Sequence, residues 1–341
     1  MPVARAQGEN LTVKTMLTLR RLVLVLFAST TAASCTDGRT RKVRFWLTEG
    51  IVNRTTNASC TDAFIANITR YLPAVDAMAL MFLKLNNNGS DSLEFAPLNA
   101  ENAAADWACL ADIKRRWGSR ITTGFSATAD ECWDSGCALR RAGTNPDAFA
   151  AAVASVRNAH PAVAQQFWAD FEVKQLSVDD ANGVNMAFAA AQRVLPTFRY
   201  AGCEPRDPPY FAENCSHFVT GAPGVVVQAA NTYWATTVSS GWYGGFAKLF
   251  QQELDNIGVG NVAQLSPALC PSCPSSDEAD NTLSQEQLYQ RMDIMCAAGV
   301  TDLSGFTFME IVAHTENGNL GGRYFEAMSY FRSGRKGLVR V

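Results

Sequence analysis

The chain has 341 residues, ample for one large core, and its 48% apolar and 18% charged composition is that of an ordinary globular protein. A formal net charge of −3 gives no electrostatic reason to bind nucleic acid or an anionic membrane surface, so neither is expected as a partner.

The first residues read as an address. Arg20 and Arg21 precede the apolar run Leu22–Ala28, and small residues follow at Thr30–Ser34, the order of a signal peptide. The apolar run is short for a membrane span. Residues 1–34 are therefore expected to be a signal peptide or signal anchor, with Met16 a candidate start and no other membrane contact. The expected location is secreted, or lumenal of the secretory pathway. Sequons at Asn10, Asn53, Asn57, Asn67, Asn88 and Asn214 agree with a glycoprotein. Ten cysteines with close-spaced pairs agree with an oxidising compartment.

Residues 40–335 alternate between strand and helix patterns. Val43–Leu47 reads as a strand, Asp62–Leu72 as a helix, and the near-continuous apolar run Met78–Leu85 as a strand buried on both faces. A loop over Asn86–Ser92 leads to a helix at Ala103–Trp117 and a third strand at Arg120–Phe125. Asn145-Pro146 supplies an N-cap and an N1 proline for a helix to about Asn158. The fourth strand lies in Gln165–Lys174 and ends in two carboxylates, Asp170 and Glu172. A helix at Ala181–Val194, a strand at Thr197–Ala201 and a long Cys/Pro loop to Gly221 follow. Val225–Tyr233 is the sixth strand, Phe246–Ile257 is helical, and Asn261–Leu265 is a short seventh strand. Ser284-x-x-Gln287 is a capping-box pattern opening a helix to Ala298. Gly305–Ile311 is the eighth strand and Arg323–Phe331 a closing helix. Eight such units imply an α/β fold of one domain, the (β/α)8 TIM barrel. The alternative, an open doubly wound sheet, has no G-x-G-x-x-G or P-loop in its favour.

Cys132/Cys137, Cys203/Cys215 and Cys270/Cys273 each fall between a strand and the next helix, so local pairing would staple the βα loops of the barrel's functional rim. Cys60 with Cys109 would join the first two units, leaving Cys35 and Cys296 near the opposite end. Sequence alone leaves the connectivity open. Cys270-x-x-Cys273 lacks a second Cys/His pair nearby, and no metal or cofactor is expected.

Alternate residues of a strand share a face, so Trp168, Asp170 and Glu172 point one way and Phe167, Ala169 and Phe171 the other. At the carboxyl end of a barrel strand the first set lines a cleft. Two close carboxylates cannot both ionise cheaply, so one is held protonated as a general acid, the requirement of glycosidic cleavage. The plainer alternative is a solvated pair, or an ion pair with Lys174.

This strand resembles the D-x-x-D-x-D-x-E motif of the family 18 glycoside hydrolases, the chitinases and their relatives. The resemblance implies Glu172 as general acid and Asp170 as the residue that orients the substrate N-acetyl group. Gln165 and Trp168 stand at the motif's first two Asp positions. Asn231-Thr232-Tyr233-Trp234 resembles the sixth-strand M-x-Y-D, which implies that Tyr233 holds the acetamido carbonyl, with Trp234 in place of the Asp. Gly305–Glu310 resembles the closing strand, with Met309 where a sugar-stacking Trp is expected. No S-x-G-G is evident in Thr122–Ser126. Among strand-end residues, Trp168, Trp234 and Trp242 are candidate substrate-binding groups, because flat aromatics suit the apolar C–H faces of sugars, and Glu310 on the eighth strand is a further candidate at the mouth. The function implied is a secreted hydrolase of an N-acetylhexosamine-containing, chitin-like glycan. The alternative is a catalytically inactive, lectin-like glycan-binding or interaction protein, and in either case the partner is carbohydrate.

Overall fold

The computed structural model describes residues 35–48, 52–53, 58–59, 75–87, 92–98, 100–101, 103–129, 136–171, 177–201, 226–229, 250, 254, 262, 265–269, 284–307 and 320–336. Within these, strands of β-branched, aromatic and alanine residues alternate with amphipathic helices. The strands are β1 (Lys42–Thr48), β2 (Val52–Asn53), β3 (Ala58–Ser59), β4 (Ala77–Asn87), β5 (Leu93–Pro97), β6 (Thr122–Ala129), β7 (Phe167–Phe171), β8 (Thr197–Ala201), β9 (Val226–Ala229), β10 (Leu265–Leu269) and β11 (Asp302–Thr307). The helices are α1 (Ala103–Trp117), α2 (Ala138–Thr144), α3 (Pro146–Ala159), α4 (Val178–Gln192), α5 (Gln285–Ala298) and α6 (Leu320–Ser333).

Eight strands are parallel and run β1-β4-β6-β7-β8-β9-β10-β11, and β11 pairs with β1 again, so the sheet closes. Closure leaves no free edge around the ring. Followed once around, the hydrogen-bonded register climbs by about eight residues, the shear of a (β/α)8 barrel. β2 and β3 form a separate two-stranded antiparallel pair, and β5 adds antiparallel to β4 above the point where β1 leaves it.

The outward side of the sheet packs on the helices through aromatic residues. Phe125 of β6 and Phe167 of β7 meet Trp107 of α1 and Phe149 of α3, and Phe45 of β1 meets Phe325 of α6. Burial of such rings supplies most of the driving force, at roughly 25 cal/mol per Å² removed from water. Helices α2 and α4 touch at Gly143 and Gly183, where a Cβ on either would lie 3.0–3.3 Å from the other's backbone or its immediate neighbour. Local signals fix the helix starts. Asn145 caps α3 with Pro146 at its head, and Ser177 and Ser284 close full capping boxes on α4 and α5.

The inward side is filled at its lower end. The Arg44 guanidinium meets the Asp302 carboxylate with Nε 2.8 Å from both oxygens. Ser266 donates to the same carboxylate at 2.7 Å. Arg44 also lies 3.7 Å over the ring of Phe198, whose edge meets Trp168 at 5.8 Å between centroids. Gly124 leaves the room that Gln166 occupies, since a Cβ there would sit 2.4 Å from the Gln166 carbonyl oxygen and Cγ.

The expected architecture and most elements hold, with adjustments of boundary. The eighth strand starts at Asp302 rather than Gly305, the helix expected from Ala181 starts at Val178, and the closing helix expected from Arg323 starts at Leu320. The seventh strand is Leu265–Leu269, not Asn261–Leu265. It contains Pro267, which pairs opposite Ala229 of β9. The third strand starts at Thr122 and runs on to Ala129, and the second extends to Asn87 and is followed by β5. The short α2 precedes α3. The expected helix at Asp62–Leu72 lies outside the described residues; Phe250 and Leu254, from the expected helix at Phe246–Ile257, are helical.

Cys35 and Cys296 form a disulfide joining the segment before β1 to the end of α5. Cys109 and Cys137 are disulfide-bonded as well. Their expected partners, Cys60 and Cys132, lie outside the described residues, as do the Cys203/Cys215 and Cys270/Cys273 pairs.

Candidate functional site

The candidate site is built on β7. Its first residues are tied into the sheet by backbone bonds, Phe125 N to the Gln166 carbonyl at 3.1 Å and Phe167 N to the Pro196 carbonyl at 2.9 Å. Those bonds set which residues turn inward. Phe167 and Ala169 belong to the outer core, and Trp168 packs in the lumen against Phe198. Asp170 follows Trp168 on the inward side, one residue from the carboxyl end of the strand.

The register places Asp170 beside Thr128 on β6 and Tyr200 on β8, and Tyr200 beside Gln228 on β9. On the other side Thr128 pairs with Lys84 of β4. These five positions share the inward side toward the carboxyl ends of their strands. That is the end at which barrel enzymes carry their active sites.

Lys84 comes to that row through a β-bulge. The β4–β6 register slips between Met81 and Leu83, so the inward parity of Ala77 and Ala79 passes to Lys84. Leu83 and Leu85 turn into the core instead, and Lys84 is left half-buried. A bulge of this kind re-aims a side chain beside a site. The sequence carried a trace of it, because Leu83-Lys84-Leu85-Asn86 alternates while the four residues before Lys84 are all apolar.

Trp168 is 1% exposed and enclosed in the lumen, beneath the position of Asp170. Its β6 neighbour Ser126 is fully buried on the same side. Asp170 is described by its backbone position alone, and Glu172, Tyr233, Trp234, Trp242 and Glu310 lie outside the described residues. Among the described residues no group of three His, Cys, Asp or Glu could hold a metal ion.

Two carboxyls elsewhere among the described residues are pushed upward. Burial pushes Asp302 up from the ordinary carboxylate value, against the opposing pull of Arg44, Ser266 and Lys42. Burial pushes Asp106, in the first turn of α1, up to about 6. His160 is pushed down by burial and stacks on Trp107 with ring centroids 3.8 Å apart, at the end of α3 and away from the mouth.

No family profile and no curated protein sequence matches the chain. Solved structures do. The spore cortex-lytic enzyme SleL of Bacillus cereus aligns with a TM-score of 0.57 at 9% identity, over 86% of this chain and 75% of its own. A GH18 chitinase from Pseudoalteromonas aurantia aligns at 0.55 and 12% identity, over 85% and 99%. YKL-39, solved in the presence of chitooligosaccharides (GlcNAc4), aligns at 0.57 and 8% identity, over 86% and 99%. The chain therefore has the TIM-barrel fold of the GH18 chitinases and chitinase-like proteins, at a sequence distance where fold alone is shared.

Proposed function

We propose that the protein is a divergent family 18-type glycoside hydrolase acting on an N-acetylhexosamine-containing, chitin-like glycan at the carboxyl end of the barrel. The observation that carries this is the position of Asp170. It is on the inward side next to the end of the fourth barrel strand, and Glu172 follows two residues later in the sequence. The fold shared with chitinases agrees. Glu172 protonates the glycosidic oxygen as general acid. Asp170 stays ionised beside it and orients the acetamido group, whose carbonyl Tyr233 holds. Trp234, Trp242 and Glu310 bind flanking sugars, and no metal takes part. Two carboxyls this close in sequence divide into an acid and a base because the second charge is costly beside the first.

The test is turnover of chito-oligosaccharide by the wild type and by Glu172→Gln. Loss of at least about a hundredfold is expected for a general acid, and equal rates in the two proteins would sink the assignment. Location in the secretory pathway belongs to the same proposal and is supported by the Cys35–Cys296 disulfide. Sequencing the mature N-terminus of secreted material tests it, and retention of residues 1–34 on a cytosolic protein would refute it.

A second reading, glycan binding without cleavage, is favoured by Trp168. The family motif has a carboxylate beneath the orienting Asp, and this chain places an enclosed indole there. Chito-oligosaccharide binding that persists in Glu172→Gln, without turnover by either protein, would select this reading.

A further inference from the structure

At the end of the barrel opposite Asp170, a cavity of about 500 Å³ opens between the segment before β1, the start of β4 and the end of α6. Its wall holds four cationic side chains, Arg39, Arg41, Lys42 and Arg332, and one carboxylate, Asp76. A second carboxylate, Asp37, lies in the same segment as Arg39. We propose that this cavity is an oxyanion-binding site, built for a phosphate or sulfate monoester.

Cations outnumber carboxylates on this wall. Asp76 is fully engaged: its Oδ2 accepts from the Val43 N–H at 2.8 Å and its Oδ1 from Arg332 at 2.9 Å and 3.1 Å. Asp37 accepts from Arg41 at 2.6 Å and from Arg39 at 3.3 Å. Burial acts to raise Asp37, but the bonds from Arg39 and Arg41 hold it below the usual carboxylate range, so it stays charged.

Two of the four cations are thereby consumed. The Arg41 side chain is 1% exposed and is fixed further by the Cys35 carbonyl at 2.9 Å and by the face of Phe331. Arg332 is clamped on Asp76. Lys42 is exposed; its charge acts on the buried Asp302 carboxylate, beside which it pairs in register, without a contact ion pair among the described residues. Arg39 keeps 58% of its side chain exposed with a single long contact. A planar guanidinium fork and an ammonium on one concave wall match the oxygens of a tetrahedral oxyanion. The cavity is also wide enough to admit the group that the ester carries.

The rigidity of the wall supports a built site. The Cys35–Cys296 disulfide anchors the segment, and Gly38 takes a left-handed turn at φ 75° with nothing within 4 Å of where a Cβ would stand. That turn is open to Gly and strained for other residues, and it sets the course of the chain into Arg39.

The site is tested by calorimetric titration of the full chain with inorganic phosphate at pH 7.5 and fixed ionic strength. One saturable site is expected. Binding should weaken at least tenfold in Arg39→Ser/Lys42→Ser and stay within twofold in the charge-matched surface control Arg115→Ser/Arg116→Ser. Lys42→Gln, at an exposed position, gives the same reading if the double variant fails to fold. No saturable binding, unchanged binding in the pocket variants, or equal loss in the control would each overturn the proposal. N-acetylglucosamine 6-phosphate and 6-sulfate separate the sources. Tighter binding than the inorganic anion assigns an esterified glycan, and equal binding assigns the free anion. Glu172→Gln should bind phosphate as the wild type does, so the result stands apart from any hydrolase activity.

Discussion

Replacing Asp106 with asparagine should stabilise the protein at neutral pH and leave it unchanged in acid. Asp106 lies in the first turn of α1, where the helix N-terminus favours a negative charge by ~0.3–1 kcal/mol. It is also 7% exposed, and its Oδ1 is enclosed with no hydrogen-bond partner among the described residues. Burial wins, and the carboxyl is pushed from 3.8 up to about 6. The folded protein thus holds this proton more tightly than the unfolded chain does. Its contribution to stability is fully present below the ordinary value near 4, falls as pH rises to about 6, and stays lost above that. A displacement of about two pH units corresponds to roughly 3 kcal/mol. Asp106→Asn keeps the shape and removes the charge. Urea unfolding followed by circular dichroism should show the variant about 2–3 kcal/mol more stable at pH 7.5 and within ~0.5 kcal/mol of wild type at pH 4. Asp302, also displaced upward by burial, is common to both proteins and cancels in the difference. A difference that does not change with pH, or a variant less stable at pH 7.5, would refute the reasoning.

Arg44→Met should destabilise by about 3–5 kcal/mol, because it leaves the Asp302 carboxylate buried without its partner. Arg44→Met/Asp302→Leu should recover most of that loss in thermal unfolding, and failure to recover would show that the cation's packing on Phe198 mattered more than its charge. Gly183→Ala should cost about 1–3 kcal/mol by forcing α4 off α2, whereas the same substitution at Gly38 should strain the backbone without any clash. Lys84→Met should weaken chito-oligosaccharide binding about tenfold or more, the scale of one lost charged hydrogen bond, with the unfolding midpoint little changed. Undiminished affinity would remove Lys84 from the binding surface.

The sequence was most legible where local chemistry decides the element. Ser284-x-x-Gln287 opens α5 with both capping bonds formed, the alanine-rich α1 keeps both its expected ends, and the β-branched and aromatic run Thr197–Ala201 is β8 to the residue. Less legible were features set by a distant neighbour. Pro267 reads as a strand breaker, yet β9 and β11 leave it a place in the ring. The bulge in β4 is a relation between β4 and β6, and so is the inward turn of Lys84. The alternation of Trp168 and Asp170 was readable because it needs one strand only. Which side was the lumen came from Phe198 and Arg44, 30 and 124 residues away in sequence.

The packing of the lumen also limits where any chemistry can take place. Arg44, Asp302, Ser266 and Phe198 close the lower barrel, and Trp168 sits enclosed on top of them. On the proposed function, a ligand entering from the carboxyl end would stop above Trp168, at the level of Lys84 and Thr128. The bulk of Trp168 thus acts on Asp170 in two ways. It removes the carboxylate that the family motif has beneath that residue, which ends any sharing of a proton from below. It also closes the inward side of β7 directly below the Asp170 position. Lys84, carried inward by the bulge two strands away, puts a cation on the same row of the barrel as the Asp170 position.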